Sequence, residues 1–384
     1  MDMLLTEEQR NFREEVRAFL SAELTPAMRD GQLQSIGVYP ELESSRAWQH
    51  VLARRGWAAP AWPVECGGPG WSAIERFIFE SECALAGAPI VYPIGIRLVA
   101  PVIIAFGSDA QRARWLPRIL TDEDHWCQGF SEPGAGSDLA SLSTRAVLDG
   151  DHYVVNGSKL WTTHAHHANW MFALVRTADT PRRQDGISFL AIELDRAGIE
   201  IQPIISIGGD HDVNQVFLSD VRVPRDCLIG EEGRGWSYAK YLLEFERGNG
   251  LFSSRLRSSL KRIERALGNI DDKLARLRFA EVALEIDVFE MLELMTLGTL
   301  PNGAPPGPVS SVLKLKASRL KQRVARLGLD LLGTRALIRD ADDSNELDLS
   351  PVLITDYLNS RAATIFGGTS EVQLSIIAQT LAGL

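Results

Sequence analysis

The most specific signals in the sequence are Phe-Ser-Glu-Pro-Gly-Ala-Gly-Ser-Asp at residues 130–138 and Asn-Gly-Ser-Lys-Leu-Trp-Thr-Thr at residues 156–163. The first stretch is a glycine-rich loop, through which backbone N–H groups can approach a ligand closely. Its serine hydroxyls add donors and acceptors for the polar edge of a cofactor. The pattern therefore predicts a binding loop, although glycine and serine clusters also form ordinary turns.

Short β-prone runs surround these two stretches. They lie at residues 153–155, 170–175 and 187–192, and glycine, asparagine and aspartate separate them. Asn156-Gly157 is a typical hairpin turn and predicts one here. We therefore expect a small β domain over residues 123–235.

Helical patterns flank this block on both sides. Near the N-terminus, Phe12, Val16 and Phe19 recur at helical spacing behind Thr6, which is a suitable N-cap. We expect an all-helical domain over residues 1–122. After the β block, long periodic stretches at 236–246, 275–297 and 310–332 predict a helical bundle over residues 236–384.

The composition narrows the function classes. The 384 residues are 45% hydrophobic, which is enough for a sizeable core, and the formal net charge is −10. This acidic balance disfavours binding to nucleic acid or to an anionic membrane surface. Four scattered cysteines without a CxxC pair are typical of a reduced protein. Charged residues throughout the first 24 positions argue against a signal peptide or a membrane span, so we expect a cytoplasmic protein.

Three neighbouring histidines, His164, His166 and His167, raise the question of a zinc site. Their spacing lacks the two-sided ligand pattern of short zinc motifs. Surface or core histidines are the favoured interpretation, and we predict no metal.

Taken together, the stretches at 130–138 and 156–163 resemble the signature of the acyl-CoA dehydrogenase family. Further segments with this resemblance lie at residues 57–63, 217–224 and 367–373. The resemblance implies an α+β multi-domain fold, with an N-terminal helical domain, a middle β-barrel domain and a C-terminal four-helix bundle. It also implies FAD-dependent α,β-dehydrogenation of an acyl-CoA to the trans-2-enoyl-CoA. An electron-transferring flavoprotein would accept the electrons.

The resemblance also implies roles for individual residues. Trp161 would lie at the edge of the flavin near N5, although a buried core aromatic is the structural alternative. Ser137 would meet the CoA arm. The positions that match flavin contacts are Phe130, Ser131, Trp161, Thr163, Thr369 and Glu371.

The reaction needs a carboxylate base beside the substrate α-carbon. Many family members place this glutamate before a Gly-Thr pair near the C-terminus, where this chain has Gly367. Other branches place it before an arginine on a helix, and Glu246-Arg247 matches that arrangement. Glu246 is therefore the candidate base, with Glu244 as its rival and Arg247 as a substrate contact. The backbone N–H of Gly367 is the candidate donor to the thioester oxygen.

Departures from the family pattern leave two alternatives open. The Arg-x-x-Phe-Gly stretch that reaches a neighbouring subunit's FAD has no match at residues 256–280, and the second glycine motif keeps only Gly333. In these departures the chain resembles subunits of heteromeric bacterial acyl-CoA dehydrogenases that act in steroid or dicarboxylate breakdown. A heterotetramer with a related subunit therefore competes with a homodimer or homotetramer. A non-catalytic or flavin-sharing subunit and a flavin-dependent monooxygenase are the rival functions.

Overall fold

The computed structural model describes residues 5–35, 41–248, 252–268, 270–299, 307–337, 349–381 and 383. In these ranges the chain forms six α-helices, seven strands and six further α-helices, which confirms the predicted order. The helices are α1 (Glu7–Glu23), α2 (Pro26–Gln34), α3 (Leu42–Arg55), α4 (Ala73–Ala86), α5 (Ala100–Phe106), α6 (Asp109–Leu120), α7 (Gly235–Gly248), α8 (Phe252–Leu267), α9 (Lys273–Thr299), α10 (Val309–Leu332), α11 (Ser350–Asn359) and α12 (Ser370–Leu381). The strands are β1 (Trp126–Gly129), β2 (Arg145–Asp149), β3 (His152–Thr163), β4 (Trp170–Arg176), β5 (Ile187–Glu193), β6 (Ile199–Ile204) and β7 (Val213–Pro224).

Helix α1 begins where the sequence predicts. The Thr6 hydroxyl accepts from the backbone N–H of Gln9 at 3.2 Å, and the Gln9 side chain accepts from the N–H of Thr6 at 3.0 Å. This reciprocal cap satisfies two N–H groups that the helix cannot pair internally. Val16 and Leu20 lie on the buried face of the helix.

The strands form one curled sheet, a half-barrel with the order β1-β4-β2-β3-β7-β6 and with β5 beside β4. Residues 170–175 and 187–192 are buried at every position. Continuous apolar runs are typical of strands that are covered on both faces. The predicted middle β domain is confirmed.

The hairpin predicted at Asn156-Gly157 is wrong. The turn between β2 and β3 is Gly150-Asp151, and Asn156-Gly157 lies inside β3. The register of β3 against β7 shifts at this point, which is a β-bulge. Gly157 has φ +151°, and a Cβ there would lie 2.4 Å from Oγ1 of Thr144. The glycine therefore allows a close approach between β3 and Thr144, the residue directly before β2.

The C-terminal helices pack around α10, which contacts α7, α8, α9, α11 and α12. The stretches expected at 236–246, 275–297 and 310–332 are confirmed as α7, α9 and α10. Ile263, Ile286 and Val324 lie in the shared core. Helix α8 was not predicted from the sequence.

Two further observations concern the cysteines and the apolar content of the helices. Cys66, Cys83, Cys127 and Cys227 are free thiols. In the ranges that the structure describes, no helix combines the length and the apolar content needed to cross a lipid bilayer.

Candidate active site

The glycine-rich loop leaves the end of β1 from a buried base. Phe130 is 6% exposed, and its ring packs edge-on against Phe172 and Phe189. Beyond this anchor the loop is largely exposed. A Cβ built at Gly134 or Gly136 would meet no heavy atom within 4 Å. The loop is therefore fixed at its base and open along its length.

A buried ion pair joins this loop to β3. Nζ of Lys159 donates to Oε1 of Glu132 at 2.7 Å, and the two side chains are 0% and 3% exposed. Lys159 also donates to the carbonyl of Leu174, and Glu132 accepts from the backbone N–H groups of Ser143 and Thr144. Burial raises the pKa of Glu132, but the Lys159 ammonium and these donors outweigh it and lower that pKa to about 2. Sequence reasoning missed this pair, although both residues lie in the two quoted stretches.

Trp161 stands on an irregular part of β3. Its backbone has φ +60°, and its side chain is 58% exposed. The register against β7 shifts between Lys159 and Thr162, so Trp161 lies on a second bulge. A left-handed backbone at an aromatic residue is strained and is common at functional sites. The exposure rules out a buried core role for this indole.

Ser131 lies next to Trp161 in space. The carbonyl of Ser131 accepts from the N–H of Leu160 at 2.8 Å. Thr163 follows two positions after Trp161, and its carbonyl accepts from the hydroxyl of Tyr92 at 3.4 Å. The structure thus brings the predicted contacts at 130, 131, 161 and 163 to one end of the half-barrel. Ser137 is exposed further along the loop.

The histidines behind this end support the strand. Nδ2 of Asn214 donates to the carbonyl of Thr162 at 3.0 Å and contacts Nδ1 of His166 at 2.9 Å. His211 stacks on His166 with ring centroids 3.9 Å apart. Burial and the neighbouring histidines lower the pKa of His166 to about 4, so this imidazole is neutral at pH 7. Among the residues that the structure describes, no group of three or more side chains has metal-binding geometry.

A polar bridge connects the half-barrel to the C-terminal part of the site. Nδ2 of Asn359, the last residue of α11, donates to Oδ1 of Asp210 at 3.0 Å. Asp210 lies in the connection between β6 and β7, and Ser206 in the same connection also contacts Asn359. A short 3-10 helix, Ser360–Thr364, leads from there to the predicted site at residues 367–371.

Gly367 and Gly368 form a tight turn before α12, with φ of +63° and +90°. Thr369 caps the helix, since its hydroxyl accepts from the N–H of Val372 at 3.2 Å. Glu371 is exposed in the first turn. Hydrogen bonds from its own N–H and from Thr369 lower the pKa of Glu371.

The candidate base lies in the last turn of α7. The helix backbone includes Glu246 and Arg247, but their side chains lie outside the described part of the structure. The rival Glu244 is half-buried, and its charge, after burial, contributes to the raised pKa of Tyr241. Helix α7 packs against α10, which also packs against α12. The roles of Glu246 and Arg247 therefore stay predictions.

The described residues fit a bound flavin. An exposed indole offers a flat apolar face for a ring system. The open glycine loop and the N-terminus of α12 offer backbone N–H groups for anionic or polar parts of a cofactor. The Ser131 carbonyl accepts from the N–H of Leu160, the neighbour of Trp161, and Thr163 follows Trp161 by two positions on β3.

Comparisons with known proteins define the family. Models of the N-terminal, middle and C-terminal domains of acyl-CoA dehydrogenase match residues 6–123, 127–221 and 233–382. The chain belongs to the acyl-CoA dehydrogenase family. It is therefore an oxidoreductase of a family that is flavin-dependent, which confirms the resemblance seen in the sequence.

Similar proteins cover the whole chain or nearly all of it. Acyl-CoA dehydrogenase IpdE1 of Mycobacterium tuberculosis is 37% identical over 97% of this chain and 97% of its own length. Acyl-CoA dehydrogenase FadE26 of the same organism is 34% identical over 100% and 99%. Among solved structures, a chain of the ChsE4-ChsE5 complex from M. tuberculosis has a TM-score of 0.82 at 33% identity, covering 100% of this chain and 99% of that one. A chain of the Tcur3481-Tcur3483 steroid ACAD has a TM-score of 0.85 at 29% identity with the same coverage.

Proposed function

We propose that this chain catalyses FAD-dependent α,β-dehydrogenation of a bulky, branched or dicarboxylic acyl-CoA to the trans-2-enoyl-CoA. The observation that carries the proposal is the exposed indole of Trp161 on a strained bulge beside Ser131. A strained backbone persists where the surrounding structure holds it for a purpose. Contact with the flavin ring is a role for Trp161 that fits this family.

When bound, FAD supplies the acceptor for the hydride that leaves the β-carbon. Trp161 orients the ring by stacking or edge contact, and Ser131 and Thr163 supply polar contacts along its rim. Thr369 and Glu371 contact the cofactor from the start of α12. Phe130 holds the loop from which Ser131 projects.

Glu246 takes the α-proton of the acyl thioester, and Arg247 contacts the substrate. Gly367 donates its N–H to the thioester oxygen, where negative charge develops as the proton leaves. Ser137, exposed on the open loop, meets the CoA arm. These assignments rest on the match of each residue to the family pattern.

The bulk of the acyl group follows from the residues at the glycine turn. Gly367 has no side chain where many family members carry the base. Ile365 and Phe366 directly before it are 64% and 42% exposed, which is unusual for apolar residues of this size. A bulky acyl group would cover them. Likeness to the Tcur3481-Tcur3483 steroid ACAD supports a polycyclic group in particular.

An exposed apolar stripe on α9 supports association with another subunit. Its members recur at spacings of three, four and seven residues and are between 48% and 68% exposed. The opposite face, with Val282 and Ile286, lies in the core. A helix that is apolar on both faces is normally covered on both. The stripe comprises Leu274, Leu277, Leu284, Val288, Met291 and Met295.

We infer that the occupant of this stripe is a second copy or a related subunit, and likeness to one chain of the ChsE4-ChsE5 complex supports this inference. A flavin-sharing subunit is the second candidate function. The single glycine kept at Gly333 and the likeness to two-component complexes favour it. Electrons leave through an electron-transferring flavoprotein in either case.

The experiment is to purify the chain alone and to record its visible spectrum under nitrogen with straight, branched and polycyclic acyl-CoAs. Yellow protein that bleaches with a polycyclic or branched acyl-CoA, and more slowly with straight ones, supports the proposal. Colourless protein that turns yellow only when co-expressed with a related subunit favours the flavin-sharing function. Oxygen consumption with added reduced flavin that depends on both the protein and the acyl-CoA, beyond the spontaneous oxidation of the flavin, would contradict both.

A further inference from the structure

The Gly367-Gly368 turn is held from the protein interior by two side chains to which the family resemblance gives no role. Nζ of Lys314 on α10 donates to the carbonyl of Gly368 at 2.6 Å. Nε2 of Gln373 on α12 donates to the carbonyls of Gly367 at 3.2 Å and of Gly368 at 3.1 Å. Lys314 is 6% exposed and Gln373 is 0% exposed.

Lys314 also ties the turn to the segment before it. Its ammonium donates to the carbonyl of Ala363 at 3.2 Å, in the short 3-10 helix that leads to the glycines. The neighbouring buried positions on α10 carry uncharged side chains, the apolar Leu313 and Ala317 and the small hydroxyls of Ser311 and Ser318. Burying an ammonium costs more free energy than burying an apolar side chain of similar size. A lysine at this position therefore serves something other than packing.

Peptide geometry shows what the two donors control. In a trans peptide the N–H points opposite to the carbonyl, and the described residues contain no cis bond. Carbonyls of Gly367 and Gly368 that point inward to Lys314 and Gln373 leave the N–H groups of Gly368 and Thr369 pointing outward. The N–H of Gly367 belongs to the preceding peptide, and its direction relative to the following peptide depends on both backbone dihedrals of Gly367. The two donors restrain this N–H from the C-terminal side, and the contact of Lys314 with Ala363 restrains it from the N-terminal side. Lys314 and Gln373 thus restrain the backbone N–H groups of the turn.

We propose that Lys314 is a positioning residue for the oxyanion donor, with Gln373 as its partner. Together they hold the glycine turn in the conformation in which the N–H of Gly367 meets the thioester oxygen. The buried ammonium also places a positive charge behind the turn, which favours the negative charge that develops there. This inference rests on the proposed function, because it assumes the thioester binds at this turn.

The test compares Lys314→Met with Lys321→Met. Lys321 is a second lysine of α10, half-buried two turns later, and its pKa is lowered by burial and partly restored by Asp356. We expect K314M to lower kcat for flavin reduction about 10- to 100-fold, with a much smaller change in KM. K314R, which keeps a donor, should recover part of the rate. K321M should retain the rate of the wild-type enzyme.

A second readout needs no turnover. In the apo protein, amide hydrogen exchange over residues 363–373 should be faster in K314M and in Q373L than in wild type, and unchanged in K321M. Equal kcat in K314M and wild type, or unchanged exchange in this segment, overturns the inference while the proposed function stands. A wild-type enzyme that no acyl-CoA bleaches overturns the proposed function, and the inference with it.

Discussion

Nζ of Lys159 lies 2.7 Å from Oε1 of Glu132, and both side chains are buried where the glycine loop meets β3. The pair links the two stretches by which the sequence is most readily placed in its family. It fixes the root of the loop relative to the bulge that carries Trp161. Ser131 and Trp161 are therefore held as one unit.

Removing one partner of this pair should destabilise the fold strongly. Lys159→Met leaves the Glu132 carboxylate buried without its cation, which costs about 3–5 kcal/mol in free energy of unfolding. The control is Arg145→Met, because the Arg145–Asp179 pair at 3.0 Å is 58% and 67% exposed. That variant should lose less than about 1 kcal/mol. Urea unfolding of both proteins measures the difference, and equal losses would contradict the role of the buried pair.

Stability should fall as the pH rises through neutrality because of Glu293. This carboxylate is 2% exposed and accepts from the N–H groups of Phe252 and Ser253 at the start of α8. Burial raises its pKa to about 7 from an ordinary 4.5, although these hydrogen bonds oppose the shift. The folded state therefore binds the proton more tightly than the unfolded state does between these values.

The contribution of Glu293 is thus present below pH 4.5 and is lost as the pH rises through 7. We expect a loss of roughly 3 kcal/mol between pH 4.5 and pH 8 from this group. Glu293→Gln keeps the size and an acceptor, so it should flatten the pH dependence in this window. Denaturant midpoints at half-unit pH steps test this, and parallel profiles for the two proteins would refute it.

Trp161 should matter to the cofactor and not to the fold. Both Trp161→Ala and Trp161→Gly remove the indole and should weaken FAD binding about tenfold. The alanine variant keeps a Cβ at φ +60°, whereas glycine adopts that conformation freely. The glycine variant should therefore be more stable than the alanine variant by about 1 kcal/mol. Thermal unfolding of the apo proteins and FAD titration measure the two effects; an alanine variant that equals or exceeds the glycine variant in stability would contradict the backbone assignment.

The stripe on α9 should control assembly. Leu284→Glu places a charge among the exposed apolar side chains and should reduce the mass of the native particle. Val147→Glu makes the same chemical change on β2, where Val147 is 61% exposed, and should leave the mass unchanged. Light scattering during size-exclusion chromatography compares them. A wild-type monomer, or a Leu284→Glu variant with the wild-type mass, would contradict a subunit contact at this helix.

The order of elements could be predicted from the sequence because it depends on periodicity and caps. The Thr6 cap and the apolar runs of β4 and β5 are local signals, and tertiary contacts agree with them. The pair Asn156-Gly157 carries an equally local signal, yet it lies on a bulge of β3, where a Cβ at Gly157 would lie 2.4 Å from Oγ1 of Thr144. Pairing with β7, which lies far along the chain, decides that conformation.

The candidate site could be predicted only in part, because contacts between distant segments decide some of its geometry. Its motif residues stand in recognisable order, but the left-handed backbone of Trp161 depends on a register shift between two strands. The sequence around Lys314 is typical of an ordinary helix and does not show that the side chain contacts the carbonyl of Gly368. Contacts that join distant segments leave no local pattern.

The proposed dehydrogenation depends on removal of the α-proton of the acyl-CoA by Glu246. The direct measurement is the rate of anaerobic flavin bleaching by the preferred acyl-CoA for wild type, Glu246→Gln and Glu244→Gln. We expect Glu246→Gln to bind FAD normally and to bleach about 100-fold more slowly or not at all, and Glu244→Gln to bleach near the wild-type rate. Bleaching of Glu246→Gln at the wild-type rate would contradict the assignment of Glu246 as the base.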